Sequence, residues 1–191
     1  MATIHILGGG TPTPTPSRFG SSYVFQFNNN QLMIDCGPAA TQKLVNAGFW
    51  PTEIDYLFIT HHHFDHDADL PCFLLCRWDQ SIGKENQLQI YGPSLTEKIT
   101  EGIIGEDGLF AHDWKARVNA PTSQQVYKNR GGILPRKPPT IKTDVASKDK
   151  SWINPKDIIA GDTISGPSWQ VSTANAEHVQ PYLDSIAYRL T

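Results

Sequence analysis

The chain has 191 residues, with 16 Lys and Arg against 19 Asp and Glu, a formal net charge of −3. The 39% of apolar and 18% of charged residues exclude a disordered tail, a fibre and a solenoid. A chain of this length buries one sizeable core, so residues 1–191 are expected to form a single domain. No apolar run approaches the roughly 18 residues of a membrane span, and the start lacks the regions of a signal peptide. We therefore expect a cytoplasmic protein with no membrane partner.

The first third of the chain predicts strands around one helix. Residues 3–7 alternate and are rich in β-branched side chains, as in a strand, and residues 22–27 and 31–35 predict a hairpin. A helical period over residues 38–48 ends at a glycine. Residues 54–60 form a short apolar run, which is typical of a strand covered on both faces.

The remaining elements are more widely spaced. Residues 70–78 predict a helix, and residues 88–91, 169–173 and 185–190 predict strands. Regular periods disappear over residues 114–150, where nine basic residues stand against two acidic ones. We interpret this segment as a long basic loop or insertion, which is either a solvated loop or a surface for phosphate-bearing substrates.

The three cysteines are too few for a disulfide framework. Cys72 and Cys76 have a spacing that could place two thiols on one helical face for a metal ion. Their apolar neighbours favour small buried side chains instead, and we expect the same of Cys36.

Residues 60–67 read Thr-His-His-His-Phe-Asp-His-Asp and hold four of the seven histidines of the chain. Imidazole and carboxylate ligands suit zinc, and iron or manganese can use the same set. His61 and His63 alternate at the end of a predicted strand and could hold one ion from one side. After a turn of the chain, Asp65 and His66 could face a second ion.

The pattern His61-x-His63-x-Asp65-His66 resembles the HxHxDH signature of the metallo-β-lactamase superfamily. The flanking residues Leu7-Gly-Gly-Gly-Thr-Pro12, Asp35-Cys36-Gly37 and Tyr91-Gly-Pro93 resemble the branch that holds tRNase Z (ribonuclease Z), related phosphodiesterases and arylsulfatase-like hydrolases. This resemblance implies an α/β chain with mixed sheets, arranged as an αββα sandwich. It also implies two zinc ions in a cleft at one edge of the sheets, with manganese or iron as alternatives.

The resemblance also implies a role for each site residue. The implied metal ligands are His61, His63, Asp65, His66 and His178. His178 matches because it precedes the strand that contains Ala187-Tyr188-Arg189, and Asp65 would also transfer protons as the catalytic residue. Asp35 either accepts a hydrogen bond from a ligand histidine or has a turn or capping role. His62 is expected to point away from the ions.

The family pattern continues beyond the match to this chain. The aspartate that bridges the two ions and a last histidine both follow the third histidine in the family, and the sequence ends at Thr191 without them. Asp162 precedes His178 and is not given the bridging role. We therefore expect residues 1–191 to be the amino-terminal part of a sandwich whose carboxyl-terminal half is missing. The expected partner is that half or a second copy in a homodimer, because an apolar sheet face would otherwise be uncovered.

These features predict a metal-dependent hydrolase that uses a zinc-activated water on phosphodiesters, including RNA, in the manner of tRNase Z. A sulfatase, a lactonase or another ester hydrolase would use the same ions. A non-catalytic metal-binding module is the alternative from a different class, because two family ligands are absent. A redox protein with two iron ions is a third alternative. The activity of the 191 residues alone is left open.

Overall fold

The chain folds into two β-sheets and a layer of helices. The computed structural model describes residues 2–28, 30–83, 86–139 and 153–191. The strands are β1 (Ala2–Gly8), β2 (Ser22–Phe27), β3 (Asn30–Ile34), β4 (Tyr56–Phe58), β5 (Leu88–Gly92), β6 (Ile153–Asp157), β7 (Thr163–Ser165), β8 (Gln170–Asn175) and β9 (Ile186–Leu190). The helices are α1 (Ala40–Asn46), α2 (Phe64–Asp67), α3 (Leu70–Ser81), α4 (Thr96–Ile104), α5 (Ala111–Asn119) and α6 (Pro121–Asn129).

The larger sheet has six strands in the order β1-β2-β3-β4-β5-β6. Strands β1 to β3 pair antiparallel, which confirms the predicted hairpin, and β3 to β6 pair parallel. Asp35 follows β3 and His61 comes three residues after β4. Because parallel strands end at the same edge of a sheet, both residues lie at one edge.

Each face of the larger sheet is covered by a different layer. On one face, α1, α3, α4 and α5 contribute buried side chains such as Leu44, Phe73, Ile104 and Trp114 to the main core. On the other face, the sheet β7-β8-β9 packs through a second core around Phe58, whose ring contacts those of Tyr91, Trp169 and Tyr188. This layering of helices, mixed sheet and second sheet confirms the predicted sandwich class.

The prediction of a long basic loop over residues 114–150 is wrong for its first part, because α5 and α6 occupy residues 111–119 and 121–129. Each helix buries few residues: Ala111 and Trp114 are buried in α5, and Tyr127 is buried in α6. A helix with so few buried side chains shows no apolar period in the sequence. Residues 140–150 of the predicted loop lie outside the described residues.

The expectation of an uncovered apolar sheet face holds only for part of the larger sheet. The outer face of β8 and β9 carries Gln170, Ser172 and Arg189, so this surface is polar. The exposed apolar side chains lie on the edge strand β1, where Ile4 is 58% and Ile6 is 71% exposed. Among the residues that the structure describes, no helix combines the length and the apolar character needed to cross a membrane.

Candidate metal centre

Three histidine rings converge where β4 ends and the loop between β8 and β9 approaches it. His61 Nε2 lies 3.2 Å from His63 Nδ1, and His178 Nε2 lies 3.2 Å from the same His63 nitrogen. One ring nitrogen from each histidine lies within 4.8 Å of the other two. The structure thus brings together three of the five predicted ligands around one point.

Strand β9 holds His178 at this point, although 115 positions separate it from His63. The Ile186 N–H donates to the Thr60 carbonyl oxygen at 2.9 Å, and the Tyr188 hydroxyl donates to the Ile59 carbonyl oxygen at 2.6 Å. These bonds attach the start of β9 to the residues that lead into His61.

The spacing of the nitrogens fits a bound cation. Nitrogens bound tetrahedrally at 2.0–2.1 Å from zinc are about 3.3–3.4 Å apart, close to the 3.2 Å of the two nitrogen pairs that include His63 Nδ1. His63 Nδ1 faces two nitrogens but can share a proton with only one of them, so at least one contact lacks a hydrogen bond. Burial and the neighbouring His66 lower the pKa of His61 to about 4, which keeps its imidazole neutral at pH 7.

Asp65 and His66 lie beside the three rings on α2. The Asp65 carboxylate is 4% exposed, and its Oδ1 has no hydrogen-bond partner among the described residues. Its Oδ2 lies 3.6 Å from His66 Nε2. An orphaned, buried carboxylate oxygen is costly, and a cation beside it would offset that cost. The donor set therefore fits the metal that the sequence predicts.

Backbone contacts fix the position of Asp65. Its carbonyl oxygen accepts a hydrogen bond from the Ser21 N–H at 2.8 Å. A Cβ atom on Gly37 would lie 2.1 Å from the same oxygen, so only glycine allows the loop after β3 to pack this closely.

Asp35 supports both ends of the histidine motif. Its carboxylate, 1% exposed, accepts hydrogen bonds from the Ser21 hydroxyl at 2.8 Å and from the Thr60 N–H at 2.8 Å. Its Oδ2 also lies 2.7 Å from His66 Nδ1. Asp35 has a left-handed backbone with φ 59°, which Asp tolerates better than most residues. Asp35 therefore lies in a left-handed position just after β3 and contacts a predicted ligand histidine.

The contact with Asp35 changes the pKa of His66. Burial lowers its pKa, but the hydrogen bond and the negative charge of Asp35 outweigh burial, and the net pKa of His66 is raised. Because Nδ1 donates to Asp35, Nε2 is the nitrogen left for a ligand.

His62 points away from the other rings. Its Nδ1 lies 2.9 Å from Asp67 Oδ2 and its Nε2 lies 2.9 Å from Thr96 Oγ1. These contacts link the motif to α4. Asp67 therefore faces His62 and not the cluster of rings.

An open cavity of about 620 Å³ surrounds the ring cluster. Its walls include the loop Gly10, Thr11 and Pro12 on one side and Glu177 and Ser185 on the other. In the sequence, Gly10–Pro12 carry only the resemblance, and none of these five residues is predicted to line a cavity. The one available signal was the glycine run, since glycines let a backbone approach a site closely.

The remaining residues that the sequence singles out lie outside the metal centre, and some of them have surroundings other than those predicted. Asp162 accepts a hydrogen bond from the Ile159 N–H at 3.0 Å in a turn and is absent from the cavity walls. His112, expected in a loop, lies on α5 and is exposed. Cys36 is buried as expected, whereas Cys72 is exposed, with its Sγ 3.9 Å from Cys76 Sγ. All three cysteines are free thiols.

Solved structures with the same layers define the fold class. The chain aligns over its whole length with a metallo-β-lactamase fold protein from Bacillus subtilis, with a TM-score of 0.61 and 18% identity over 58% of that chain. It aligns likewise with human tRNase Z, short form, with a TM-score of 0.59 and 19% identity over 65% of that chain. The fold is the metallo-β-lactamase fold.

Matches between sequences define the family of the chain within this fold class. Residues 2–98 match the family model described as "Anti-Pycsar protein Apyc1", and the chain belongs to this family. Ribonuclease Z of Mycobacterium marinum is 27% identical over 92% of this chain, and ribonuclease Z of Methanococcus maripaludis is 34% identical over 63% of it. The chain spans 68% of the first relative and 62% of the ribonuclease Z of Mycobacterium sp. strain KMS.

Proposed function

We propose that the chain is a metal-dependent hydrolase of phosphodiesters, with RNA among its substrates. The observation that carries this proposal is the convergence of three imidazole nitrogens beside the orphaned Asp65 oxygen in an open cavity. The relatives named ribonuclease Z support the choice of phosphodiesters over other esters.

His61, His63 and His178 would hold a first zinc ion, and Asp65 and His66 a second. When bound, such ions lower the pKa of a water to about 7 and stabilise charge that develops on the substrate oxygen. Manganese or iron would suit the same nitrogen and oxygen donors.

The residues of the chain itself have separate tasks. The Asp65 carboxylate accepts a proton from the attacking water and returns it to the leaving oxygen, since its buried Oδ1 has no partner within the described ranges. Asp35 holds the His66 ring in orientation through Nδ1. The Ser185 hydroxyl lines the cavity, is buried and has no partner among the described residues, so it is available to donate to a substrate oxygen.

We also propose a cytoplasmic location and a homodimer. The three free thiols suit a reducing compartment. The exposed Ile4 and Ile6 lie on an edge strand, where antiparallel pairing with β1 of a second copy would bury them. Sedimentation should show a dimer that Ile6→Lys dissociates; a wild-type monomer would contradict the dimer.

The test is a hydrolysis assay on zinc-loaded chain. Its substrates are bis(p-nitrophenyl) phosphate, a precursor tRNA with a 3′ trailer, a cyclic mononucleotide, p-nitrophenyl sulfate and a lactone. We expect metal-dependent cleavage of the phosphodiesters that Asp65→Asn reduces by at least about 100-fold, with His112→Ala as the control. Preference for the sulfate or the lactone would establish an alternative ester hydrolase. Zinc binding without turnover of any substrate would establish a non-catalytic module.

A further inference from the structure

A second cluster of charged side chains lies between α3, α5, α6 and the segment that follows α6. Arg130 Nη1 donates to Asp79 Oδ2 at 2.7 Å, and Arg136 Nη2 donates to Asp79 Oδ1 at 2.5 Å. Arg117 Nη1 lies 3.6 Å from Asp79 Oδ1, while its Nε donates to Asp113 at 2.9 Å. Three guanidinium groups therefore surround one carboxylate.

This cluster borders a cavity of about 220 Å³, which we call the arginine pocket. Its walls are Asp79, Arg117, Thr122, Ser123, Val126, Tyr127, Arg130 and Arg136. Three arginines against Asp79 give the wall a net charge of +2, and Asp113, which pairs with Arg117 beside the wall, brings the whole cluster to +1. Each guanidinium has five N–H donors, so the donors exceed what one carboxylate can accept.

Arg136 is the most constrained part of the pocket. Its Cζ lies 3.7 Å from the ring centre of Trp78 and 4.5 Å from that of Tyr127, and the residue is only 5% exposed. Two aromatic faces leave only the edge of the guanidinium for hydrogen bonds. Its buried Nε has no hydrogen-bond partner among the described residues. A buried donor of this kind calls for a missing water or ion.

Helix α6 adds weaker donors to the same wall. Thr122 and Ser123 lie in its first turn and line the pocket. The N–H groups of a first turn lack partners within the helix, and the helix dipole favours negative charge there.

The pocket is separate from the metal centre. Helix α3 begins at Leu70, shortly after the helix α2 that carries Asp65 and His66. Asp79 lies nine residues further along α3, about 13 Å away along the helix axis. No residue of the pocket wall also lines the cavity around the histidines.

We propose that the arginine pocket binds a terminal phosphate, either inorganic phosphate or the phosphate of a small monoester. Such a group carries close to two negative charges at neutral pH, and the positive wall attracts it more strongly than a group with one charge. It also offers several oxygens, which the forked donors of arginine contact in pairs. The backbone phosphate of RNA carries a single charge and complements the pocket less well.

The test is a titration of the folded chain with inorganic phosphate, followed residue by residue by nuclear magnetic resonance. We expect saturable shifts at the Thr122 and Ser123 amides and at the Arg136 Nε–H. The variant Arg130→Gln should weaken this binding by about tenfold or more. Lys128→Gln is the matched control, because it removes the same charge from an exposed position on α6, two residues before Arg130 and outside the pocket. Thermal unfolding checks that both variants fold.

Two further titrations distinguish a terminal phosphate from the phosphates of an RNA backbone, and each can contradict the proposal. A nucleoside monophosphate should reproduce the shifts, whereas a short RNA without terminal phosphates should not. If only the RNA produces them, the pocket is part of an RNA surface and the proposal is wrong. If phosphate shifts none of these signals, or if Arg130→Gln and Lys128→Gln bind it equally, the cluster is an ion-pair network without a ligand. Neither result depends on hydrolysis at the metal centre.

Discussion

At the scale of single residues, two carboxylates hold several side chains around them. Asp35 is buried and Asp79 is half-buried. Asp35 contacts Ser21, Thr60 and His66, whereas Asp79 contacts three arginines. The first arrangement orients a candidate metal ligand, and the second preorganises the arginine pocket. Each leads to a prediction.

Replacing Asp35 by Asn should lower zinc affinity by about 10–100-fold, the usual cost of losing a partner of a ligand histidine. The amide has the same shape but loses one acceptor oxygen, so the His66 ring is no longer held. Competition with a fluorescent chelator measures the affinity. Asp162→Asn, at a half-buried position outside the cavity around the histidines, is the control, and equal affinities for the two variants would show that Asp35 does not hold the His66 ring.

Acid should destabilise the chain partly through Asp79. Burial raises the pKa of its carboxyl, but hydrogen bonds from Arg130 and Arg136 outweigh burial and lower the net pKa below the usual value. A lowered pKa gives stability that is present above the unfolded value of about 3.9 and is lost as the pH falls through the folded value. Urea unfolding at a series of pH values should therefore show a shallower acid loss for Asp79→Asn than for wild type. Identical slopes below pH ~4 would contradict this role.

At the scale of elements, β4 connects the two cores and leads directly into the metal centre. Phe58 lies on β4 and is fully buried against the rings of Tyr91 on β5, Tyr188 on β9 and Trp169, which precedes β8. The position of His178 depends on this contact, because the same small sheet carries the loop in which it lies.

Phe58→Ala should reduce the free energy of unfolding by about 3–5 kcal/mol, the typical cost of truncating a buried aromatic ring. Urea denaturation measures the change. Tyr182→Ala removes a ring that is 91% exposed and should change the stability by less than about 0.5 kcal/mol. A small loss for Phe58→Ala would mean that the two sheets are held together by other contacts.

The elements that the sequence predicts are those with strong local patterns. The hairpin of β2 and β3 has alternating side chains and a polar turn, and α3 has an apolar run with Leu70, Phe73 and Leu74 in the core. Helices α5 and α6 have few buried residues, so their sequences resemble a polar loop. Strands β6 and β7 are edge strands with mostly exposed or half-buried residues, and their sequences carry little apolar signal.

At the scale of the whole molecule, both candidate sites depend on contacts between distant segments. The four-histidine motif is local, so its chemistry can be predicted from the sequence, but His178 enters through sheet stacking and was predicted only from the resemblance. The concentration of basic residues over 114–150 indicates a possible phosphate surface, but it does not predict that three arginines form a pocket. Arg117, Arg130 and Arg136 meet only because Asp79 on another helix lies between them.

The central claim is that His61, His63 and His178 form a metal site in this chain. Its most direct test is elemental analysis of metal per chain after zinc loading and gel filtration, for wild type, His178→Ala and His112→Ala. We expect at least one zinc ion per chain in wild type and in His112→Ala, and a loss of zinc in His178→Ala, because two imidazoles bind zinc more weakly than three. Zinc-free wild type, or full zinc retention in His178→Ala, would contradict it.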